Sequence, residues 1–401
     1  MQSWRSALIW GIGAAVIHRL ALLLWMTLVW LTFGTNMSNT AEVHRKQELT
    51  PLDSSPITQV TLGVWRRWDA IHYLSLAETG YQMHDPGPTV FGVLTPLGIA
   101  LFDRLLPGPV DGGAMAFATL AFALALIFLF RVCEVYYGDT RLAKWAVVFT
   151  ALHPLSYFFS APMSEALYLA MVLAVFYAGT REHWGRAAAA GVLATLTRSQ
   201  GVFLVGIMAL MMLRREQTLP LKEQIRHAVR HGWMLAFVPG SLLVFLIFRQ
   251  SQGFPPLEDT YARYSYVFFV NPFEGLLMNL RWIVEHPTEA VWSVDLWMLV
   301  IAITLALFQM RYPLHRQLPL LAYTWGSIFI FVTKVNWGWG TQEAFFTQSF
   351  GRYTLALFPL TVLAADGVRR LTGRKQALVI TVLSSGLAFF SALHALGIGP
   401  A

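Results

Sequence analysis

Long apolar runs recur along this chain from residue 7 to residue 397, separated by short polar segments. A membrane span needs about 20 apolar residues, fewer where a helix is broken and buried in protein. By that measure the runs 7–33, 113–133, 144–160, 164–181, 232–249, 290–309, 317–333, 352–367 and 376–397 predict spans. The stretch 186–213 is either one long helix or two short ones with Thr197-Arg198-Ser199-Gln200-Gly201 at the far side. The first run is too long for a signal-peptide core and is followed by no small-residue cleavage site, so it reads as a retained span.

Charge orients these runs. Segment 214–230 carries Arg214, Arg215, Lys222, Arg226 and Arg230, segment 311–316 carries Arg311 and Arg316, and segment 368–375 carries Arg369, Arg370, Arg374 and Lys375. Basic loops mark the cytoplasmic side. Segment 131–144, with Arg131, Arg141 and Lys144, joins that side if 186–213 crosses twice and 88–106 is an interfacial helix. The competing arrangement makes 88–106 a span and 186–213 a single crossing. Either predicts about eleven crossings. Residues 34–112 then form the first outer loop with interfacial helices, and 250–289 and 334–351 form further outer loops.

Composition narrows the class. The 401 residues are 56% hydrophobic and 13% charged, against about 25% charged for a soluble chain, and mean hydropathy is +0.53. The expectation is an all-α polytopic membrane protein, a single domain over 1–401. The net charge of +7 lies in short loops between apolar runs, which argues for membrane orientation rather than nucleic-acid binding. One cysteine, Cys133, excludes an internal disulfide, and no His or Cys cluster has metal-ligand spacing. Neither a metal nor a cofactor is expected. No phosphate-binding glycine loop is present, and no soluble domain is large enough for a nucleotide sugar. Any glycosyl donor would have to be lipid-borne.

Four segments carry candidate chemistry. The first runs from Trp65 through Arg66, Arg67, Trp68, Asp69 and His72 to Gly80 and Tyr81. Its spacing predicts an interfacial helix stopped at Gly80, with Arg66, Asp69 and His72 on one face. A carboxylate there can meet both a lipid-borne and a water-borne substrate; the alternative is an Arg66–Asp69 ion pair on an anchoring helix. In the second, Pro154 and Pro162 break helices, and Ser164 caps the next one with Glu165 in its first turn. Glu165 is either part of that cap or a functional ionisable residue at the hydrocarbon boundary. In the third, Arg198 lies within an apolar stretch and needs an anion: a lipid phosphate, or Glu165 or Asp69. In the fourth, Trp337 and Trp339 form an aromatic belt or a sugar platform. Arg352, beside Tyr353, is a phosphate ligand or a snorkelling residue.

Taken in order, these segments resemble the bacterial relatives of the PIG-V type mannosyltransferases, which belong to the GT-C superfamily of polytopic glycosyltransferases. The resemblance rests on Arg67-Trp68-Asp69 with Ala77 to Tyr81, on Phe91 with Thr95-Pro96-Leu97, on His153-Pro154 through Ser164-Glu165, on Thr197 to Gly201, and on Arg352-Tyr353 with Phe358-Pro359. Two departures, Phe91 to Pro96 in place of a more aromatic element and His153-Pro154 in place of Asn-Pro, bear on the acceptor more than on the chemistry. The resemblance implies a GT-C fold and an inverting mannosyltransferase. It also implies a polyprenyl-phosphate-mannose donor, a glycan or glycolipid acceptor, and an active site on the extracytoplasmic side of a bacterial plasma membrane. Asp69 is implied as general base with Glu165 a second catalytic candidate. Arg198 and Arg352 would bind the donor phosphate, and Arg66, Trp68, His72, Trp337, Trp339 and Tyr353 the substrates. A transporter or lipid-linked-sugar flippase is the alternative; it lacks the expected paired half-repeats with broken helices.

Overall fold

The computed structural model describes residues 2–34, 56–215, 220–265, 267–337, 344–345 and 349–398. Helices dominate: α1 (Gln2–Val29), α2 (Asp69–Thr79), α3 (Leu94–Leu105), α4 (Val110–Tyr137), α5 (Thr140–Ala151), α6 (Glu165–Thr180), α7 (Trp184–Thr197), α8 (Leu204–Arg215), α9 (Leu221–Gly232), α10 (Phe237–Ser251), α11 (Pro272–Glu285), α12 (Val294–Arg311), α13 (Leu318–Val332), α14 (Phe350–Thr354), α15 (Phe358–Arg369) and α16 (Gly373–Ala395). Five stretches, Trp4–Gly34, Val110–Tyr137, Trp233–Ser251, Val294–Arg311 and Gly373–Ala395, are long and apolar enough to cross a membrane. The chain is an integral, essentially all-helical membrane protein.

Several expected spans are shorter than the apolar runs that predict them, and each has a local cause. α5 stops at Ala151, three residues before Pro154, and only the helical turn Tyr157–Ser160 follows. Proline has no N–H to continue the helical ladder. The run 352–367 divides into α14 and α15, with Pro359 in the first turn of α15. α3 has 12 residues, about 18 Å of helix, too short to cross about 30 Å of hydrocarbon.

The 186–213 ambiguity also resolves. α7 ends at Thr197, residues Ser199–Phe203 form a 3-10 turn, and α8 runs back antiparallel to α7. Met208 packs on Gly191 and Met211 on Gly179. Arg198 therefore sits at the apex of a reversal. Gly201 makes the reversal possible, because a Cβ there would fall on the backbone of Ala194 and Thr195.

One element has no counterpart in the apolar pattern. A small antiparallel sheet joins β1 (Val267–Phe269), β2 (Lys334–Trp337) and β3 (Ala344–Phe345) in the order β1-β2-β3, with Phe269 opposite Lys334. Strands of two to four residues are too short to show a period-2 alternation. The sheet ties the expected outer loops 250–289 and 334–351 together.

Lipid is as apolar as the helix faces, so close packing and polar ties rather than the hydrophobic effect hold such helices together. α1 approaches α4 at Gly11, where a Cβ would lie 2.5 Å from Ile127 Cγ1. Phe122 of α4 stacks on Phe159 with centroids 4.8 Å apart. Two polar residues of α1 fasten the broken segment after α5. His18 reaches Ser156 Oγ and Ser160 Oγ, each at 3.0 Å, and Arg19 donates to the Ser160 carbonyl at 2.5 Å. A second, smaller core of Trp282, Leu299, Phe331 and Phe350 holds α14 against α12 and α13. Replacing Gly201 by Ala is expected to cost about 1–3 kcal/mol through overpacking, read as a lower thermal unfolding temperature in detergent.

Candidate active site

Asp69 is the first residue of α2. The preceding Trp68 has φ +54°, a region that a bulky non-glycine residue occupies only when its surroundings force it. The predicted helix from Trp65 onward is therefore cut short: residues Gly63–Trp65 form a 3-10 turn, the chain bends at Trp68, and only then does α2 begin, ending at Gly80 as expected. Arg66 consequently shares no helix face with Asp69. It forms a bidentate pair with Asp111 at the start of α4, at 2.6 and 2.9 Å. The expected Arg66–Asp69 alternative is corrected, and Arg66 is not part of the cluster around Asp69. His72 stacks on Phe91, with ring centroids 5.7 Å apart.

Asp69 Oδ2 instead accepts a hydrogen bond from Arg352 Nη2, carried by α14 from the far end of the sequence. Arg352 Nε also lies 2.6 Å from Glu165 Oε1, a close ionic contact whose N–H is not aimed at the oxygen. The same Oε1 accepts from Arg198 Nη2 at 2.5 Å. Arg198 Nε donates to Ser164 Oγ at 2.7 Å, and Tyr73 OH donates to that same oxygen at 2.9 Å. Ser164 occupies the position before α6 but makes no side-chain cap bond, so the expected cap is corrected: its hydroxyl is spent on Arg198 and Tyr73. Arg352 is buried and paired, which rules out snorkelling to the interface. Of the two carboxylates open to Arg198, Glu165 is the one it holds.

The cluster thus unites four sequence candidates, Asp69, Glu165, Arg198 and Arg352, from segments up to 283 residues apart. Solvent access separates the two carboxylates. The Glu165 side chain is 2% exposed and the Asp69 side chain 27%. Burial pushes the Asp69 carboxyl up, but the charge and hydrogen bond of Arg352, helped by His72 and Arg198, win and hold it below the usual carboxylate range.

Tyr353 packs among the same cations. Its ring stacks on Phe331 at 4.8 Å, Arg198 lies 5.6 Å from its centroid, and Lys334 Nζ donates to its hydroxyl at 3.1 Å. Lys334 and Asp295 escaped the reading of the sequence. Lys334 looks like an ordinary loop lysine until β2 brings it under Tyr353. Asp295 had a signal, an acid in the first turn of the apolar run that forms α12. Its carboxylate accepts from the backbone N–H groups of Ser349 at 2.7 Å and Gly351 at 2.6 Å, which fixes the turn that carries Arg352 and Tyr353. Trp337 lies in β2, and Trp339 falls outside the described residues.

GPI mannosyltransferase 2 of Schizosaccharomyces pombe is 26% identical over 189 residues, which cover 44% of this chain and 39% of that protein. The match thus spans well under half of its relative. Among solved structures, ArnT from Cupriavidus metallidurans bound to undecaprenyl phosphate has 15% identity and a TM-score of 0.49, over 79% of this chain and 60% of its own. The archaeal oligosaccharyltransferase AglB from Archaeoglobus fulgidus, in complex with an inhibitory peptide and a dolichol-phosphate, has 10% identity and a TM-score of 0.45, over 94% of this chain and 56% of its own. The sequence pattern of the mannosyltransferase (PIG-V) family runs through residues 12–255, more than half of the chain, and the chain belongs to that family.

Proposed function

We propose that this protein transfers mannose from a polyprenyl-phosphate-mannose donor to a hydroxyl of a lipid-linked or glycan acceptor. We place the reaction at the extracytoplasmic face of a bacterial plasma membrane, with inversion at the anomeric carbon. The observation that carries the reading is the asymmetry of the charged cluster. One carboxylate, Asp69, is open to an incoming substrate, while the other, Glu165, is closed and holds two guanidinium groups beside it.

Asp69 takes the proton of the acceptor hydroxyl as that oxygen attacks the anomeric carbon. The bond from that carbon to the phosphate oxygen breaks, and its electron pair leaves with the lipid phosphate. The transition state is oxocarbenium-like, by analogy with glycoside hydrolysis. The leaving phosphate needs charge stabilisation rather than a proton, and guanidinium groups fixed in advance supply it. Arg198 and Arg352 take that role. Glu165 positions them, a narrower part than the catalytic one first expected of it.

The resting Asp69–Arg352 bond adds a consequence. A carboxylate locked to a guanidinium is a weak base. A donor phosphate that draws Arg352 away loosens Asp69 and raises its basicity when the acceptor is to be deprotonated. Trp68, His72, Tyr353 and the pair Trp337 and Trp339 are the proposed sugar contacts. A transporter has no need of an open carboxylate at this position, so the first experiment separates the two functions.

Asp69→Asn is expected to lower transfer of radiolabelled mannose from polyprenyl-phosphate mannose by about 10²–10⁴-fold with expression unchanged; equal activity would remove Asp69 as the base. The pH profile provides a second check. Because Asp69 is held below the usual value of about 3.9, kcat/KM should stay flat from neutral pH down to about 5 and fall only below the ordinary carboxylate value. In Arg352→Gln burial acts without its main opponent, so the acidic limb should move upward into the measurable range. An unmoved limb would show that Asp69 is not the titrating base.

A further inference from the structure

Three cations converge on the ring of Tyr353. Lys334 Nζ lies 4.6 Å from its centroid, the Arg198 guanidinium 5.6 Å and the Arg352 guanidinium 5.9 Å. Among the described residues no other ring gathers more than the two cations that flank Tyr177. Arg198 and Arg352 are the proposed ligands of the leaving phosphate. Lys334 has no part in that scheme so far, although it is buried and bonds directly to a residue that both of them touch.

The small sheet delivers this lysine. Lys334 opens β2 opposite Phe269 of β1, and opposite residues of an antiparallel pair carry their side chains on one face. The rings of Phe269 and Tyr261 each lie 6.0 Å from Nζ and meet each other edge to face at 5.4 Å. The hydrogen bond to Tyr353 has a definite direction. An ammonium has only donors, and a phenol has one proton. Lys334 Nζ therefore donates to the Tyr353 hydroxyl at 3.1 Å, and the hydroxyl keeps its own proton for another acceptor. That proton is not spent on Glu165, whose Oε2 has no hydrogen-bond partner among the described residues. A hydroxyl that accepts from a cation is polarised into a better donor. With three cations around it, the acceptor it favours is an anion rather than a neutral sugar hydroxyl.

We propose that Lys334 is a positioning residue of the phosphate site. Its ammonium fixes the Tyr353 hydroxyl so that this hydroxyl donates a hydrogen bond to the lipid phosphate, as a third arm beside Arg198 and Arg352. The inference rests on the mannosyltransferase reading and narrows one part of it: the Tyr353 hydroxyl serves the phosphate, not the sugar. No proton is transferred at this arm. As the bond from the anomeric carbon to the phosphate oxygen breaks, a diester with one negative charge becomes a monoester carrying about −1.5 to −2. A donor already in place gains strength as that charge grows. The sheet that joins the two expected outer loops thereby acts on the leaving group through one lysine.

The test uses the purified full-length protein. Lys334→Met keeps an unbranched stem among the rings and removes the charge. Lys334→Met and Tyr353→Phe are each expected to raise KM for polyprenyl-phosphate mannose about tenfold, the worth of one charge-assisted hydrogen bond, and to leave acceptor KM unchanged. The double variant should raise it no further than Tyr353→Phe alone, because both changes remove the same bond. Lys334→Arg should recover part of the loss. In native mass spectrometry, retention of polyprenyl phosphate should fall by a similar factor in both single variants, while retention of the neutral polyprenol of equal chain length stays unchanged. Additive effects on KM, a change in acceptor KM alone, or equal loss of both lipids would overturn the proposal, the last because it marks a merely structural lysine. Absence of any mannose transfer by the wild type would count against the enzyme reading. The lipids would still decide the part of Lys334: loss of the preference for polyprenyl phosphate in Lys334→Met supports it, and persistence of that preference removes it.

Discussion

A single carboxylate oxygen, Glu165 Oε1, receives two guanidinium groups in a place closed to solvent. Removing charges from water costs several kcal/mol per ion, and the attraction repays this only when geometry and remaining hydrogen bonds are good. Such a cluster is a poor source of net stability and a strong source of specificity, because breaking one partner strands the other. Ser164, Tyr73 and Asp69 supply the remaining bonds. The reversal at Arg198, the turn at Arg352 and the start of α6 must all sit where they do for those charges to be tolerated. Asp295 is part of the same constraint from a distance, since its two backbone hydrogen bonds hold the Arg352 turn.

Irregular backbone within a membrane protein is tolerated only where protein or a water-filled cavity satisfies its polar groups. Here every residue of the cluster comes from such an interruption. Glu165 follows the proline-broken stretch 152–164, Arg198 sits between α7 and α8, Arg352 between α13 and α15, and Asp69 behind a strained Trp68. The long helices α1, α4, α12 and α16 supply rigid walls, and the chemistry collects where helices stop. Buried polar ties on α1, at His18 and Arg19, keep one of these interruptions in place from within the bundle.

The arginines divide accordingly. Those at the cluster are balanced by carboxylates, so a phosphate that arrives there must compete with an existing partner and can change the basicity of Asp69 as it does so. Among the described residues Arg67 is met by two carbonyls and by the face of Trp30, as Arg19 is met by two carbonyls and the Thr119 hydroxyl. One residue type thus meets two different electrostatic situations in one fold.

Much of this was legible in the chain itself. The spacing of apolar runs determined a helical membrane protein, because lipid admits few other backbones. Isolated ionisable residues in or beside those runs, Glu165, Arg198 and Arg352, marked themselves by their cost, and Gly80 marked the end of α2. Family membership lay in the order of short motifs. Partnership was not legible. Arg66 lies three residues from Asp69 and pairs with Asp111, while Asp69 finds Arg352 at a separation of 283 residues. Sequence spacing constrains neighbours only while the helix continues, and the bend at Trp68 ended that rule one residue too early for the prediction. Ser164 was drawn from capping to the Arg198 side chain for the same reason: a buried charge outbids a local backbone bond. Lys334 and Asp295 became significant only once a short sheet and a backbone turn brought them in. The sequence by itself determined which residues were too costly to be idle. The tertiary structure decided which of them meet, because charges buried in low dielectric accept only partners that the whole packing delivers.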